Sequence, residues 1–385
     1  MNIPFHKPII PSNLDKINSD SLRSGWLTTG PQVKNFEEFL SNFLNSKYVI
    51  AVNSCTAALH LALAAKGFNK GDKFIVPTYT FVATVEVGEY LGMSPILIDC
   101  DKNFNIDINQ IEDQLKKDKK VKAILPVHFA GNPVDMKNIF YLSEKYDLFV
   151  LEDAAHALES FSNIGKVGDT PHAAAFSFYA NKNITTLGEG GAVSTNDGML
   201  AEKIRKLSLH GMSKDGWKRF KNNGKWAYDI SELGYKYNMT DISASFGLWQ
   251  SKHITDWLNK RNNIFDKYCK NLNQIDGIIC PEKTVNGIGS NHLFIIRIVL
   301  DLWQINRNEI IKYLNDAGIG TSVHYIPVHM HSFYQKKYGY KPLDYPLAKQ
   351  YSETVITLPL YPKLTNIELN YIIDTINNLW DKYKY

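Results

Sequence analysis

Residues 173–195 read AAAFSFYANKNITTLGEGGAVST. Two apolar runs, AAAFSF (173–178) and GGAVST (190–195), flank a polar stretch. Each run is strand-like, short and bounded by turn residues. About a dozen residues lie between Phe178 and Gly190. That gap is too short for the helical crossover that parallel strands require, so it puts one antiparallel strand into the sheet. The gap also holds a single basic residue, Lys182, ahead of Gly188, Glu189, Gly190 and Gly191. A solvated face carries several charges of both signs, whereas one amine between an apolar run and a glycine turn reads as placed.

Working outward, five more strand-like runs precede this pair. They are KYVIAV (47–52), KFIVPT (73–78), SPILID (94–99), VKAILPV (121–127) and LFVLED (148–153). Helical patterns separate most of them: TAALHLALAAKG from Thr56, residues 105–117, and MKNIFYLSEKY from Met136. Strand–helix alternation predicts an α/β fold with a mostly parallel sheet covered on both faces. From Thr240 the pattern changes to one long helical run, DISASFGLWQSKHITDWLNKRNNIFDKYCKNL, capped by Thr240 or Asp241. The strand HLFIIRIV and the helices NRNEIIKYLNDAGIG and NIELNYIIDTINNLW follow. The expected organisation is a large domain over 1–250, with an N-terminal arm over 1–30, and a smaller C-terminal α+β domain over 251–385.

Composition narrows the function. The 385 residues carry 43 basic against 39 acidic side chains and are 44% hydrophobic. A near-balanced charge argues against tracking a nucleic-acid backbone. The cysteines, Cys55, Cys100, Cys269 and Cys280, form no CxxC pair and have no accompanying histidine cluster. Neither a metal site nor a disulfide framework is expected. No signal peptide and no run of about 18 apolar residues is present, so the expected location is cytoplasmic, with no membrane partner.

In open α/β sheets ligands bind beyond the carboxyl ends of the strands. There the sequence places Ser54, Cys55 and Thr56; then Tyr79, Thr80 and Phe81; then His128; then Asp153 and His156; and finally Lys182. Singly these have ordinary readings as helix caps, turn carboxylates and core rings. Together they match the needs of pyridoxal phosphate. That cofactor takes a lysine for a Schiff base, a carboxylate beside its pyridine nitrogen, a phosphate cup and a flat side chain against its ring. The lysine must lose its proton easily, which neighbouring positive charge and exclusion of water would favour.

At this point the chain resembles the DegT/DnrJ/EryC1/StrS aminotransferases, sugar-nucleotide enzymes of pyridoxal phosphate fold type I. The resemblance runs through SGWLTTGP (24–31), NSCTAALHLAL, PTYTFVAT, VHFAGNPVDM, LEDAAHALES, FSFYANKNITTLGEGGAV, HGMSKDGWKR, GYKYNMTDISASFGLWQ, VHYIPVH and TLPLYP. It implies a large domain with a seven-stranded, mostly parallel sheet between helices. It implies that Lys182 is the Schiff-base lysine and Asp153 the partner of the pyridine nitrogen. Phe81 would stack on the ring, and Ser54, Cys55, Thr56 and Ser177 would form the phosphate cup. Asn238 would reach the phosphate of a neighbouring subunit, so a homodimer with shared sites is expected. Thr28, Thr29 and Tyr325 would line the sugar-nucleotide pocket.

Three positions depart from the family pattern. Cys55 stands where many relatives have glycine, His156 where many have glutamine, and Leu187 adds a residue before GEGG. His156 remains able to donate to the cofactor's ring oxygen. The implied reaction moves the amine of L-glutamate, leaving 2-oxoglutarate, onto a nucleotide-linked 4-keto-6-deoxysugar for lipopolysaccharide O-antigen, capsule or glycan assembly. The GEGG form favours amination at C4 over C3. A dehydratase branch of the family has histidine in place of the lysine, which Lys182 opposes. A regulator or sugar-nucleotide binding protein without turnover is the non-enzymatic alternative.

Overall fold

Each of the seven expected runs forms a strand in the computed structural model, which describes residues 1–212, 229–282, 284 and 286–385. In chain order the strands are β1 (Tyr48–Val52), β2 (Lys73–Pro77), β3 (Ser94–Ile98), β4 (Val121–Ile124) and β5 (Phe149–Asp153). A two-residue pair, β6 (Phe161–Ser162) and β7 (Gly165–Lys166), comes before β8 (Ala173–Ser177) and β9 (Gly191–Thr195). The main sheet has seven strands in the order β1-β9-β8-β5-β4-β2-β3. β9 runs antiparallel to both its neighbours, with Ser177 opposite Gly191 and Val52 also opposite Gly191. The other pairings are parallel. β4 ends earlier than the apolar run VKAILPV because Pro126 has no N–H to continue the ladder.

Alternation along the strands feeds two cores. Ile50, Val52, Ala173 and Ala175 join one apolar cluster; Val49, Ala51, Ala174 and Phe176 join another on the opposite face. That period of two, with both faces buried, is what a helix-covered sheet requires. The helix Cys55–Lys66 lies against the first face and Pro31–Leu44 against the second.

The C-terminal part builds a third core around β12 (Phe294–Ile298) and β13 (Val355–Leu358), with β10 (Ile278–Ile279) on the outer side of β12. β11 (Gly287–Ile288) instead pairs with β6. Ile3 is buried in the C-terminal core and bridges to Ile319, so the first residues cross to this end of the molecule. The expected single helix from residue 241 is two helices, Asp241–Ser251 and Ile254–Leu272. His253 leaves helical geometry (φ −111°, ψ 0°), and its ring stacks on Trp257 at 5.5 Å. Apolar spacing continues through this break, so periodicity alone does not reveal it. No helix among the described residues is long and apolar enough to cross a membrane.

One carboxylate ties distant segments together. Thr240, not Asp241, caps its own helix, accepting from the Ser243 N–H. Asp241 is buried and accepts from the N–H groups of Gly30 (2.7 Å), Val33 (3.0 Å) and Gln32 (3.2 Å). It thereby caps the helix Pro31–Leu44, whose N-cap, Gly30, has no side chain to do so. Asp241→Ala leaves one buried and two half-buried donors unpaired and should cost about 2 kcal/mol in urea unfolding. A loss below about 0.5 kcal/mol would contradict this capping role.

Candidate active site

The loop between β8 and β9 is held by its own backbone and threonines. The Phe178 N–H donates to the Gly190 carbonyl at 2.8 Å, and the Thr186 N–H to the Phe178 carbonyl at 3.1 Å. The hydroxyls of Thr185 and Thr186 donate to the carbonyls of Phe178 and Glu189. Leu187 turns in the left-handed region at φ 63°, followed by Gly188 at φ 103°. This closure leaves the Lys182 side chain lining a cavity of about 480 Å³ at the carboxyl ends of the strands.

Asp153, the last residue of β5, lines the same cavity. It accepts from the Thr84 hydroxyl at 2.7 Å and from the Ala155 N–H at 3.1 Å. Burial pushes its carboxyl upward, while Thr84, Ala155, Lys182 and His128 pull against that shift. Burial also draws the Lys182 amine down to about 8, with Cys55 and Asp153 opposing. Exclusion of water is therefore what lowers the amine, and the expected positive neighbour is not among its causes. Among the described residues no salt bridge holds it.

Ser54, Cys55 and Thr56 also line the cavity, at the start of the helix Cys55–Lys66. Ser54 is the N-cap and accepts from the Ala57 N–H at 3.0 Å. First-turn N–H groups have no intrahelical acceptor and carry the positive end of the helix dipole, which suits an anion. Cys55 is the first helical residue and does not adopt a positive φ, so a glycine's freedom is not needed there. The indispensable glycine lies opposite. A Cβ on Gly191 would sit 2.4 Å from the Ser54 carbonyl carbon and 2.6 Å from the Cys55 nitrogen. Ser177 lines the cavity from the end of β8.

Phe81 stands on the lip, 59% exposed, its ring 6.0 Å from that of Tyr325. His156 and Tyr325 form part of the wall. The Ala130 N–H donates to His156 Nδ1 at 3.2 Å, so the ring proton sits on Nε2, 3.4 Å from the Tyr325 hydroxyl. Burial, with Lys182 and His324, holds His156 well below the ordinary histidine range, so it stays neutral. His128 lies behind the site, where its Nε2–H donates to Glu152 at 3.0 Å and its Nδ1 accepts from the Val134 N–H.

Three expected residues lie outside this lining. The Asn238 amide donates to the Thr29 hydroxyl at 2.8 Å and lies 3.4 Å from that of Thr28. In the motif HGMSKDGWKR (210–219), residues 213–219 lie outside the described residues. Sequence reasoning missed Thr84, Gly191 as a close-approach residue, and His292, which lines the cavity wall. Thr84 sits three residues after Phe81 inside PTYTFVAT, a spacing that hints at one helical turn but not at Asp153.

The residues present fit pyridoxal phosphate: a buried amine, a buried carboxylate short of a cation, an anion-ready helix start and an open ring face converge on one cavity. The model of the DegT/DnrJ/EryC1/StrS aminotransferase family matches residues 10–377. The spore coat polysaccharide biosynthesis protein SpsC of Bacillus subtilis is 40% identical over 378 residues, spanning 98% of this chain and 97% of that one. The Streptococcus pneumoniae protein Spr1654, solved in apo-, PLP- and PMP-forms, has a TM-score of 0.91 at 34% identity. Its PLP-form covers 99% of this chain and 99% of its own. Helicobacter pylori PseC, an aminotransferase involved in pseudoaminic acid biosynthesis, has a TM-score of 0.91 at 28% identity, over 99% of this chain and 100% of that one.

Thr84→Val removes one of two donors to Asp153. It should weaken pyridoxal phosphate binding about tenfold and cost about 1 kcal/mol, as read by cofactor titration and urea unfolding. Gly191→Ala should separate β9 from the Ser54–Cys55 turn and cost about 2 kcal/mol. Normal cofactor affinity in both variants would contradict the geometry described.

Proposed function

Because the chain belongs to the DegT/DnrJ/EryC1/StrS aminotransferase family, we propose that it transfers the amine of L-glutamate to a nucleotide-linked 4-keto-6-deoxysugar. The enzyme is a pyridoxal phosphate-dependent sugar aminotransferase. The observation that supports cofactor-based amine transfer in this chain is the placement of Asp153 and Lys182 in one cavity with the helix start at Ser54.

Bound there, the cofactor supplies an aldehyde that condenses with amines and a protonated ring that accepts an electron pair. Ser54, Cys55, Thr56 and Ser177 hold the phosphate, using hydroxyls and free N–H groups. Asp153 would pair with the ring nitrogen, whose positive charge would offset the cost of its buried carboxylate. Phe81 would lie against the ring, and the Nε2–H of His156 would be a donor to the ring oxygen. Lys182, as a neutral amine, would tether the cofactor and serve as the group that takes up and returns a proton. Asn238 serves the phosphate of the neighbouring subunit in a homodimer, which agrees with its place outside its own chain's cavity. Thr28 and Thr29, beside it, and Tyr325, on the wall, contact the sugar nucleotide. The GEGG form of the loop after Lys182 supports amination at C4.

The test is spectroscopic. Purified enzyme should be yellow, lose that absorbance with L-glutamate, and regain it with a 4-ketosugar nucleotide from a panel of UDP, dTDP and GDP sugars. Lys182→Ala should not form the yellow species. Colour that persists with glutamate would defeat the transamination reading, and recovery only with 3-ketosugars would defeat the C4 assignment. The pH dependence follows from burial. Cofactor-free enzyme should capture pyridoxal phosphate faster as pH rises through about 8, because the neutral fraction of Lys182 grows there. A midpoint near that of a free lysine would show that the amine is not desolvated.

A further inference from the structure

Beside the cavity lies a buried polar chain that the proposed chemistry leaves unused. Arg261 Nη2 donates to Glu159 Oε1 at 2.5 Å, with both side chains almost wholly buried. The other carboxylate oxygen, Oε2, accepts from the Asn183 amide nitrogen at 2.5 Å. Asn183 Oδ1 lies 2.8 Å from His292 Nδ1. Asn183 directly follows Lys182, and His292 lines the cavity with Lys182. The His292 ring lies 4.5 Å from that of His156.

This chain has one consistent proton arrangement. An ionised carboxylate only accepts, so Glu159 requires the NH₂ of Asn183. That turns the Asn183 oxygen toward His292, and an oxygen there requires a proton on His292 Nδ1. In a neutral ring Nε2 is then a bare lone pair. Neutrality is supported by burial together with His156, Lys182, Arg261 and His6, which all act to keep His292 well below the ordinary histidine range. In this structure no protein group among the described residues, Lys182 included, donates to Nε2, and the atom is not among the buried ones that lack a partner, so it stands open to a donor that turns toward it from the cavity. His156 has the opposite tautomer, so the two neighbouring rings, tilted by 34°, face the cavity as one donor and one acceptor.

We propose that His292 is a positioning residue for Lys182, its Nε2 accepting a hydrogen bond from the lysine amine and aiming that amine across the cavity. Glu159 and Asn183 act at one remove by fixing the tautomer, and Arg261 holds the Glu159 side chain in place. The inference rests on Lys182 being the reactive amine, but its first readout does not.

That readout is the ¹⁵N spectrum of the imidazoles in the full-length, cofactor-free chain. His292 should show a protonated Nδ1 and a bare Nε2, and Asn183→Leu should release that preference. A proton on Nε2 in the unaltered chain would overturn the proposal, whatever Lys182 does. The second readout is the rate of pyridoxal phosphate capture against pH. His292→Leu should lower the limiting rate about tenfold, the worth of one hydrogen bond to an amine. It should also move the midpoint below about 8, because the ammonium form loses an acceptor. His292→Gln, which carries an amide oxygen near the Nε2 position, should restore most of both. Unchanged rate and midpoint in a folded His292→Leu enzyme would overturn the proposal. Equal loss in the leucine and glutamine variants would mark His292 as a packing residue and overturn it too. Failure of Lys182→Ala to abolish the yellow species would instead overturn the functional reading.

Discussion

The antiparallel pairing of β9 between β1 and β8 is the constraint on which the site depends. Its register sets Gly191 opposite both Ser177 and Val52. One residue without a side chain thus lies where two strand ends and the start of a helix meet, and its Cα side faces the Ser54–Cys55 peptide with no room for a methyl group. The chain that joins β8 to β9 must fold back above these ends, because the two strands are adjacent. Lys182 is carried on that return. The amine and the anion-ready helix start therefore share a cavity through the same ladder of hydrogen bonds that completes the sheet.

Within the cavity, burial tunes the groups more than charge pairing does. It raises Asp153 and lowers Lys182, so the two polar ends of the site are held in states that favour a partner over solvent. The histidines are neutral for the same reason, and each is turned by a hydrogen bond from behind. A backbone N–H orients His156 and a side-chain amide oxygen meets His292. Buried ion pairs such as Arg261–Glu159 give little net stability for their desolvation cost. Here the pair anchors an oriented amide beside Lys182, a task that an apolar replacement of equal volume lacks.

Much of this was legible before any coordinates. The short apolar or β-branched runs marked all seven strands of the main sheet, because strand burial writes itself as local apolar composition. The dozen residues between Phe178 and Gly190 marked the antiparallel strand, because chain length alone forbids a crossover. The positions after the strands named Ser54, Phe81, Asp153, His156 and Lys182, the family resemblance added Ser177, and each lines the cavity, whereas Tyr79 and His128, named with them, do not. Strand β13 and the break at His253 were not legible. The first is four residues long beside Pro359, and the second interrupts a helix without interrupting its apolar spacing.

The sequence by itself determined the sheet, the edge at which chemistry gathers, and the residue types that gather there. Those properties follow from composition and spacing within a dozen or so neighbours. Only the tertiary structure decided which hydrogen bonds join them. Asp241 caps a helix more than two hundred residues away, Thr84 meets Asp153, and Glu159 turns Asn183 and so the proton of His292. Hydrogen bonds act over about 3 Å and between groups whose separation along the chain is unconstrained. Their partners are set by how the elements pack, and no local pattern records that.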